Sequence, residues 1–124
     1  MSQSDNFRLK FWGTRGSIPC PGPSTTKYGG NTTCFEITCG AKRIIIDAGT
    51  GIRLLGKQIM LNEGNLLDAD LFFTHTHMDH IQGLPFFAPA YIHGNKIVFH
   101  GGHDDLETHL RSQMKRPFFP IDFD

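Results

Sequence analysis

The sequence lacks a net charge and long apolar runs, and each absence excludes a class of protein. Its 124 residues hold 12 basic and 12 acidic side chains, so no overall positive field attracts nucleic acid. No apolar run approaches the roughly 20 residues that a membrane-spanning helix needs. The polar stretch 1–6 has neither the basic nor the apolar segment of a secretory signal. We therefore expect a cytoplasmic protein with no membrane association.

Cysteine is also scarce, with Cys20, Cys34 and Cys39 as the full set. An odd number of cysteines without a secretory context does not favour a disulfide framework. Cys34 lies in an alternating, strand-like run, where a thiol most simply serves as a small apolar core residue. We expect reduced thiols, with a metal or redox role for Cys34 as the alternative.

Apolar residues are abundant enough for one folded domain. The chain is 39% hydrophobic and includes 11 Phe, which is far more apolar mass than a disordered chain carries. At this length a chain buries roughly two-thirds of its unfolded surface, which is enough for a core. We predict a disordered N-terminus at 1–6 and a single domain at 7–124.

Hydrophobic periodicity predicts a mixed sheet with helices. The predicted strands are 7–12, 32–39, 42–46, 70–74 and 96–100. The predicted helices are 52–62, ended by Gly64, 81–92, which contains two prolines, and 104–115. A loop rich in Gly and Pro occupies 13–30. Because antiparallel strands precede a strand–helix alternation, we expect a layered α+β fold.

The most informative segment follows the fourth predicted strand. It reads His75-Thr76-His77-Met78-Asp79-His80. A match to H-x-H-x-D-H is expected by chance roughly 0.001 to 0.002 times in a chain of this composition. On extended backbone, residues i and i+2 point to the same side, so His75 and His77 can present two imidazoles to one cation. Asp79 and His80 lie where the chain turns into a helix and can face a second, nearby point.

Imidazole and carboxylate groups are ligands for zinc, iron and manganese, and zinc is the usual choice. Two adjacent cations can clamp an ester or phosphodiester while it is displaced. The alternative interpretation is a polar surface cluster. It is disfavoured because packing has no use for three histidines and an aspartate within six residues.

The motif and the segments around it resemble the metallo-β-lactamase fold superfamily of metal-dependent hydrolases. The supporting segments are FWGTRGSIP at 11–19, YGGNTTC at 28–34, IDAGTG at 46–51 and HIQGLPFF at 80–87. They are similar to the branch that contains phosphodiesterases and the tRNA 3′-processing endonuclease. The likeness extends over nearly the whole chain.

The resemblance implies a role for each motif residue. His75 and His77 would bind one cation, and Asp79 and His80 would bind a second. Two Zn²⁺ ions are expected, with Mn²⁺ or Fe²⁺ as alternatives. Asp79 would also be catalytic, because it helps to position the attacking water. Asp47 would accept an imidazole N–H and orient a ligand; the alternative is a turn aspartate that binds its own loop amides.

The resemblance also implies the reaction. A hydroxide held by the metals would attack a phosphodiester or cyclic nucleotide, so the expected substrate is a small molecule or nucleotide. Nucleic acid is a further option that the zero net charge does not support.

The sequence carries only part of the family's ligand set. In the family, a third histidine, a bridging aspartate and a final histidine come from later segments. The later residues of these types lie in other contexts, and we interpret them as surface or capping residues. They are His93, His100, His103, His109, Asp104, Asp105, Asp122 and Asp124.

We therefore expect the N-terminal half of an αββα sandwich, a mixed sheet with helices on one face. The interpretation is a fragment or truncated product with weak or no activity alone. The alternative is a non-catalytic, metal-binding half-domain that pairs with a second copy or a partner through its uncovered sheet face.

Two other groups have open interpretations. Arg15, in the turn Gly13–Ser17, either approaches an anionic substrate or binds loop carbonyls. Phe86, Phe87 and Tyr91 either form an apolar wall beside the metals or pack in the core.

Overall fold

A computed structural model describes residues 6–62 and 66–124. Within them, five strands form one sheet. The strands are β1 (Phe7–Gly13), β2 (Cys34–Cys39), β3 (Lys42–Ile46), β4 (Asp68–Phe73) and β5 (Lys96–Gly101). All five predicted strands are confirmed, with ends that differ by two residues or fewer. The predicted disorder of residues 1–5 and the helix end at Gly64 lie outside the described residues.

The sheet is mixed, as predicted, and its order follows the chain from β1 to β5. β1, β2 and β3 are antiparallel, and β3, β4 and β5 are parallel. Gly40 turns β2 into β3 with φ 61°, a left-handed conformation that favours glycine. Because β3 and β4 are parallel neighbours, the loops that follow them emerge at the same edge of the sheet.

Three α-helices accompany the sheet in the described part of the chain. They are α1 (Ile52–Asn62), α2 (Met78–Ile81) and α3 (Leu106–Gln113). The prediction of α1 is confirmed, and α3 is two residues shorter at each end than predicted. None of the described helices is long and apolar enough to cross a membrane.

The predicted helix at 81–92 is wrong. α2 ends at Ile81, and two 3₁₀ turns follow it at Leu84–Phe86 and Ala88–Tyr91. Pro85 and Pro89 each lie in the first turn of one of these segments. Proline has no N–H to donate and its ring clashes with the preceding helical turn, so a continuous helix cannot pass through both positions.

One face of the sheet is covered by helices. Ile52, Leu55 and Ile59 of α1 share a buried cluster with Leu71 of β4 and Leu110 of α3. Burying such a side chain stabilises the fold by about 1.5–3 kcal/mol. The same cluster contains Cys34, and burial raises the pKa of its thiol, so Cys34 is the apolar core residue that we predicted.

The aromatic residues after α2 divide between the core and the surface. Phe87 is fully buried, whereas Phe86 and Tyr91 are 59% and 46% exposed. Phe87 reaches α1 at Gly56, where an added Cβ would lie 2.9 Å from its ring. Glycine at this position therefore lets the 3₁₀ segment pack closely on the helix.

The opposite face of the sheet is apolar and open. Phe7, Leu9 and Phe11 of β1 are 69%, 47% and 60% exposed. Pairing across the strands places Phe11 beside Phe35, and Phe72 is also exposed on β4. The described helices thus lie on one face, which is the partial sandwich we expected.

Candidate metal centre

The motif lies at the carboxyl edge of the parallel strands. β4 ends at Phe73, and the motif residues follow from His75. β3 ends at Ile46, so Asp47 emerges beside them at the same edge. Crevices at the carboxyl ends of parallel strands are where open α/β sheets bind ligands.

The first two histidines form a pair of donor atoms. Nε2 of His75 and Nδ1 of His77 lie 3.1 Å apart, and their rings meet nearly at right angles. Two nitrogens about 2.0–2.1 Å from a tetrahedral zinc ion lie about 3.3 Å from each other. The His75–His77 pair therefore fits two corners of one zinc site.

The second half of the motif forms another donor pair. Oδ2 of Asp79 and Nε2 of His80 lie 3.3 Å apart. The rings of His75 and His80 are separated by 4.1 Å between centroids, so the two pairs are adjacent. The four side chains thus form two adjacent donor pairs, one of two nitrogens and one of a nitrogen and an oxygen.

Neither pair is a complete ligand set. Within residues 6–62 and 66–124, no group of three or more His, Cys, Asp or Glu side chains is arranged to hold one metal ion. Catalytic zinc sites usually have three protein ligands and one open position. Two donors for each cation therefore predict weak binding by these residues alone.

Asp47 supports the second donor pair, Asp79 and His80, through a contact with the His80 ring. It is 1% exposed, and its carboxylate accepts hydrogen bonds from Thr74 N–H at 2.9 Å and Thr74 O–H at 2.8 Å. Its Oδ2 also lies 2.9 Å from Nδ1 of His80. A carboxylate at this distance favours a ring proton on Nδ1, which makes Nε2 the ring nitrogen that can bind a cation. The carboxylate contacts are thus with the motif loop rather than with its own turn.

A hydrogen bond from the Gly-rich loop holds the Asp79 side chain in place. The backbone N–H of Ser17 donates to Oδ2 of Asp79 at 2.9 Å. This hydrogen bond is the main cause that lowers the pKa of Asp79, and the nearby imidazoles of His80 and His75 lower it further. Asp79 is therefore a carboxylate, the form that binds a cation.

Backbone strain is concentrated at these two supports. In the described part of the chain, Ser17 and Asp47 are the two non-glycine residues with positive φ, at 73° and 63°. This conformation costs a non-glycine residue about 1–2 kcal/mol. Each of the two residues binds a motif side chain, and such strain is typical of functional sites.

Close backbone contacts hold the surrounding loops together. An added Cβ at Gly49 would lie 2.4 Å from the carbonyl oxygen of Asp79, and one at Gly83 would lie 2.0 Å from that of Gly49. Ala48 N–H donates to the His80 carbonyl at 2.8 Å. The IDAGTG segment therefore requires glycine because the motif loop packs directly on its backbone.

The later histidines lie at the surface, and one of them also contacts the motif. His109 of α3, which we interpreted as a surface residue, reaches the middle of the motif: its Nδ1 lies 2.8 Å from the hydroxyl of Thr76. Its Nε2 lies 3.1 Å from Asp105. His100 instead lies 2.8 Å from Asp70, and His93 is exposed. Sequence spacing contains no signal for the Thr76 contact, because it depends on how α3 packs.

We expect His109 to position the motif loop. Replacing it with alanine removes one hydrogen bond worth about 0.5–1.5 kcal/mol, so affinity for Zn²⁺ should fall roughly threefold to tenfold. Calorimetric titration of the variants measures this change. His93→Ala is the matched control, and Thr76→Val should show no additional loss when combined with His109→Ala. Additive losses would contradict a shared contact.

Comparisons with known proteins agree on the fold. A family model described as "Beta-lactamase superfamily domain" matches residues 42–122. The chain is 29% identical over 109 residues to a ribonuclease Z from Bradyrhizobium diazoefficiens. The aligned region covers 85% of this chain and 33% of that protein.

Two solved structures are similar in fold. The metallo-β-lactamase fold protein YhfI from Bacillus subtilis matches with a TM-score of 0.61 and 19% identity, over 92% of this chain and 43% of that one. A diphosphatase from the PhnP family matches with a TM-score of 0.58 and 20% identity, over 94% of this chain and 49% of that one. The chain thus spans a third of the ribonuclease Z and less than half of each structure.

Proposed function

Because the chain belongs to the β-lactamase superfamily and has the metallo-β-lactamase fold, we propose that it supplies four ligands of a dinuclear, metal-dependent hydrolase centre. His75 and His77 hold one cation, and Asp79 and His80 hold the other. Zinc is the expected metal, with Mn²⁺ or Fe²⁺ as alternatives. The observation that carries the proposal is the pair of donor distances, 3.1 Å and 3.3 Å, at adjacent positions.

The chain's own residues position the attacking water and the metal ligands. Cations bound at such a site lower the pKa of a coordinated water and offset negative charge on phosphoryl oxygens. Asp79 accepts a hydrogen bond from the attacking water with its free carboxylate lone pairs. Asp47 keeps the His80 ring fixed, and Ser17 fixes Asp79, so neither ligand must reorganise when substrate binds.

The proposed substrate is a phosphodiester, such as a cyclic nucleotide or another small nucleotide diester. The similarity to a ribonuclease Z supports this class and makes an RNA end a second candidate. The zero net charge favours the smaller substrate, since polynucleotide binding relies on many phosphate contacts.

Metal and diester binding test the proposal. Dialysis of the purified chain against Zn²⁺ or Mn²⁺ should give two bound ions per chain, removable by EDTA. The loaded chain should bind bis(p-nitrophenyl) phosphate, and the EDTA-treated chain should not. With two donors for each cation, we expect weak or absent hydrolysis of this diester. A chain that binds no metal would contradict the proposal, and rapid turnover would contradict the incomplete ligand set.

The open sheet face favours a second candidate, a non-catalytic metal-binding half-domain that pairs with another copy. Phe7, Leu9 and Phe11 give this face exposed apolar surface of the kind that marks interaction sites. Sedimentation velocity separates the two candidates, because pairing predicts a dimer that Phe11→Lys disrupts. A monomer at all concentrations would exclude self-pairing.

A further inference from the structure

Arg15 has a guanidinium nitrogen without a partner. Its Nε is buried, and no hydrogen-bond acceptor among residues 6–62 and 66–124 contacts it. Leaving a buried charged donor unsatisfied is costly, so such a group generally binds a water, an ion or a ligand. One interpretation of Arg15 is that it binds loop carbonyls. Among the described residues, no carbonyl accepts a hydrogen bond from its Nε.

The side chain lines a cleft in the Gly-rich loop. The cleft has a volume of about 400 Å³ and is formed by residues between 14 and 29, with Arg15 and Lys27 as its charged members. No acidic side chain is among its described lining residues. Lys27 is exposed, with its ammonium 5.3 Å from the Tyr28 ring centroid. The cleft therefore presents two positive charges and no internal counter-charge.

The backbone holds Arg15 in a fixed position. Its N–H donates to the Asn31 carbonyl at 3.0 Å, and its own carbonyl accepts the Thr33 hydroxyl at 3.3 Å. The backbone at Arg15 therefore has a defined position from which the guanidinium can bind an oxyanion through parallel N–H groups.

The cleft and the candidate metal centre share one turn. Gly16 lines the cleft, and an added Cβ there would lie 4.0 Å from Oδ2 of Asp79. The next residue, Ser17, donates its N–H to the same oxygen. The cleft and Asp79 are therefore joined by the backbone of a single turn.

We propose that Arg15 and Lys27 bind a second phosphate group of the substrate, next to the phosphodiester that the metal centre takes. The inference rests on the proposed function for the identity of the neighbouring site. It assigns a nucleotide with at least two phosphates as the preferred substrate class. Arg15 donates Nε–H and a terminal N–H to the oxyanion, and Lys27 adds charge at the rim.

Orthophosphate is the probe for this cleft, because it can be tested without metal. In EDTA and at constant ionic strength, titration of the ¹⁵N-labelled chain should shift the Arg15 Nε–H resonance with a dissociation constant on the order of 1 mM. Arg15→Ala should raise that constant about tenfold or more, and Lys27→Ala about threefold. Arg8→Ala is the matched control, because it removes the same charge from β1, outside the cleft.

The outcomes separate this proposal from the metal proposal. Phosphate binding that depends on Arg15 supports the cleft even if the chain fails to bind Zn²⁺. No saturable shift in the wild-type chain would overturn it, as would an equal loss in Arg8→Ala. On the metal-loaded chain, a 5′-phosphate on the dinucleotide UpU should tighten binding in wild type and not in Arg15→Ala; an unchanged advantage in the variant would also overturn it.

Discussion

Replacing His77 with alanine should lower the affinity of the chain for Zn²⁺ by about 100-fold. Structural zinc sites with four ligands bind with about 10–16 kcal/mol, so one ligand contributes roughly 3 kcal/mol. His77 is exposed, so its loss should leave the fold intact. The ion held by Asp79 and His80 should still bind, and the measured stoichiometry should fall from two to one.

Calorimetry with Zn²⁺ and absorption spectroscopy with Co²⁺ measure these changes independently of any activity. His93→Ala removes an exposed imidazole elsewhere and should behave as the wild type. Circular dichroism verifies that both variants are folded. Equal affinities for His77→Ala and His93→Ala would exclude the first donor pair.

Replacing Asp47 with alanine should destabilise the fold by about 1–3 kcal/mol, the usual cost of leaving buried hydrogen-bond donors unsatisfied. The carboxylate is almost fully buried and accepts from both Thr74 and His80. Its loss leaves the Thr74 amide and the His80 ring unsatisfied. Affinity for Zn²⁺ at the second position should also fall, by about 10–100-fold, because His80 is no longer oriented.

Two further variants separate the causes. Asp47→Asn keeps the shape of the side chain and tolerates positive φ, but it lacks the negative charge that binds the His80 ring N–H. We therefore expect this substitution to cost more free energy in zinc binding than in unfolding. Asp47→Gly relieves the strain and should be more stable than Asp47→Ala by about 1 kcal/mol. Chemical denaturation measures the free energies of unfolding. Equal stability of wild type and Asp47→Ala would contradict a supporting role for the carboxylate.

Much of this fold could be predicted from local patterns. Alternation along β1 and the helical spacing of Ile52, Leu55 and Ile59 are encoded by neighbouring residues, and both predictions are confirmed. The predicted helix at 81–92 is wrong because Pro85 and Pro89 divide this apolar segment into separate 3₁₀ turns. The donor pairs could be anticipated because they lie within six residues on one loop, where chain direction fixes their geometry.

The supports of the site could be predicted only in part. Asp47 is a strand-end residue, and a partner on the adjacent parallel strand could be expected. The contacts of Ser17 with Asp79 and of His109 with Thr76 join segments 62 and 33 residues apart. Such contacts depend on tertiary packing, and local sequence has no pattern that reports them.

The open apolar face has a consequence for colloidal behaviour. β1 is an edge strand, and its exposed Phe7, Leu9 and Phe11 lie next to a row of unpaired backbone groups, which is a template for association between strands. The formal net charge is zero at pH 7, so molecules do not repel one another there. Solubility should therefore be lowest near neutrality. It should rise on either side of the sequence pI of about 7.0, where all molecules gain a net charge of the same sign.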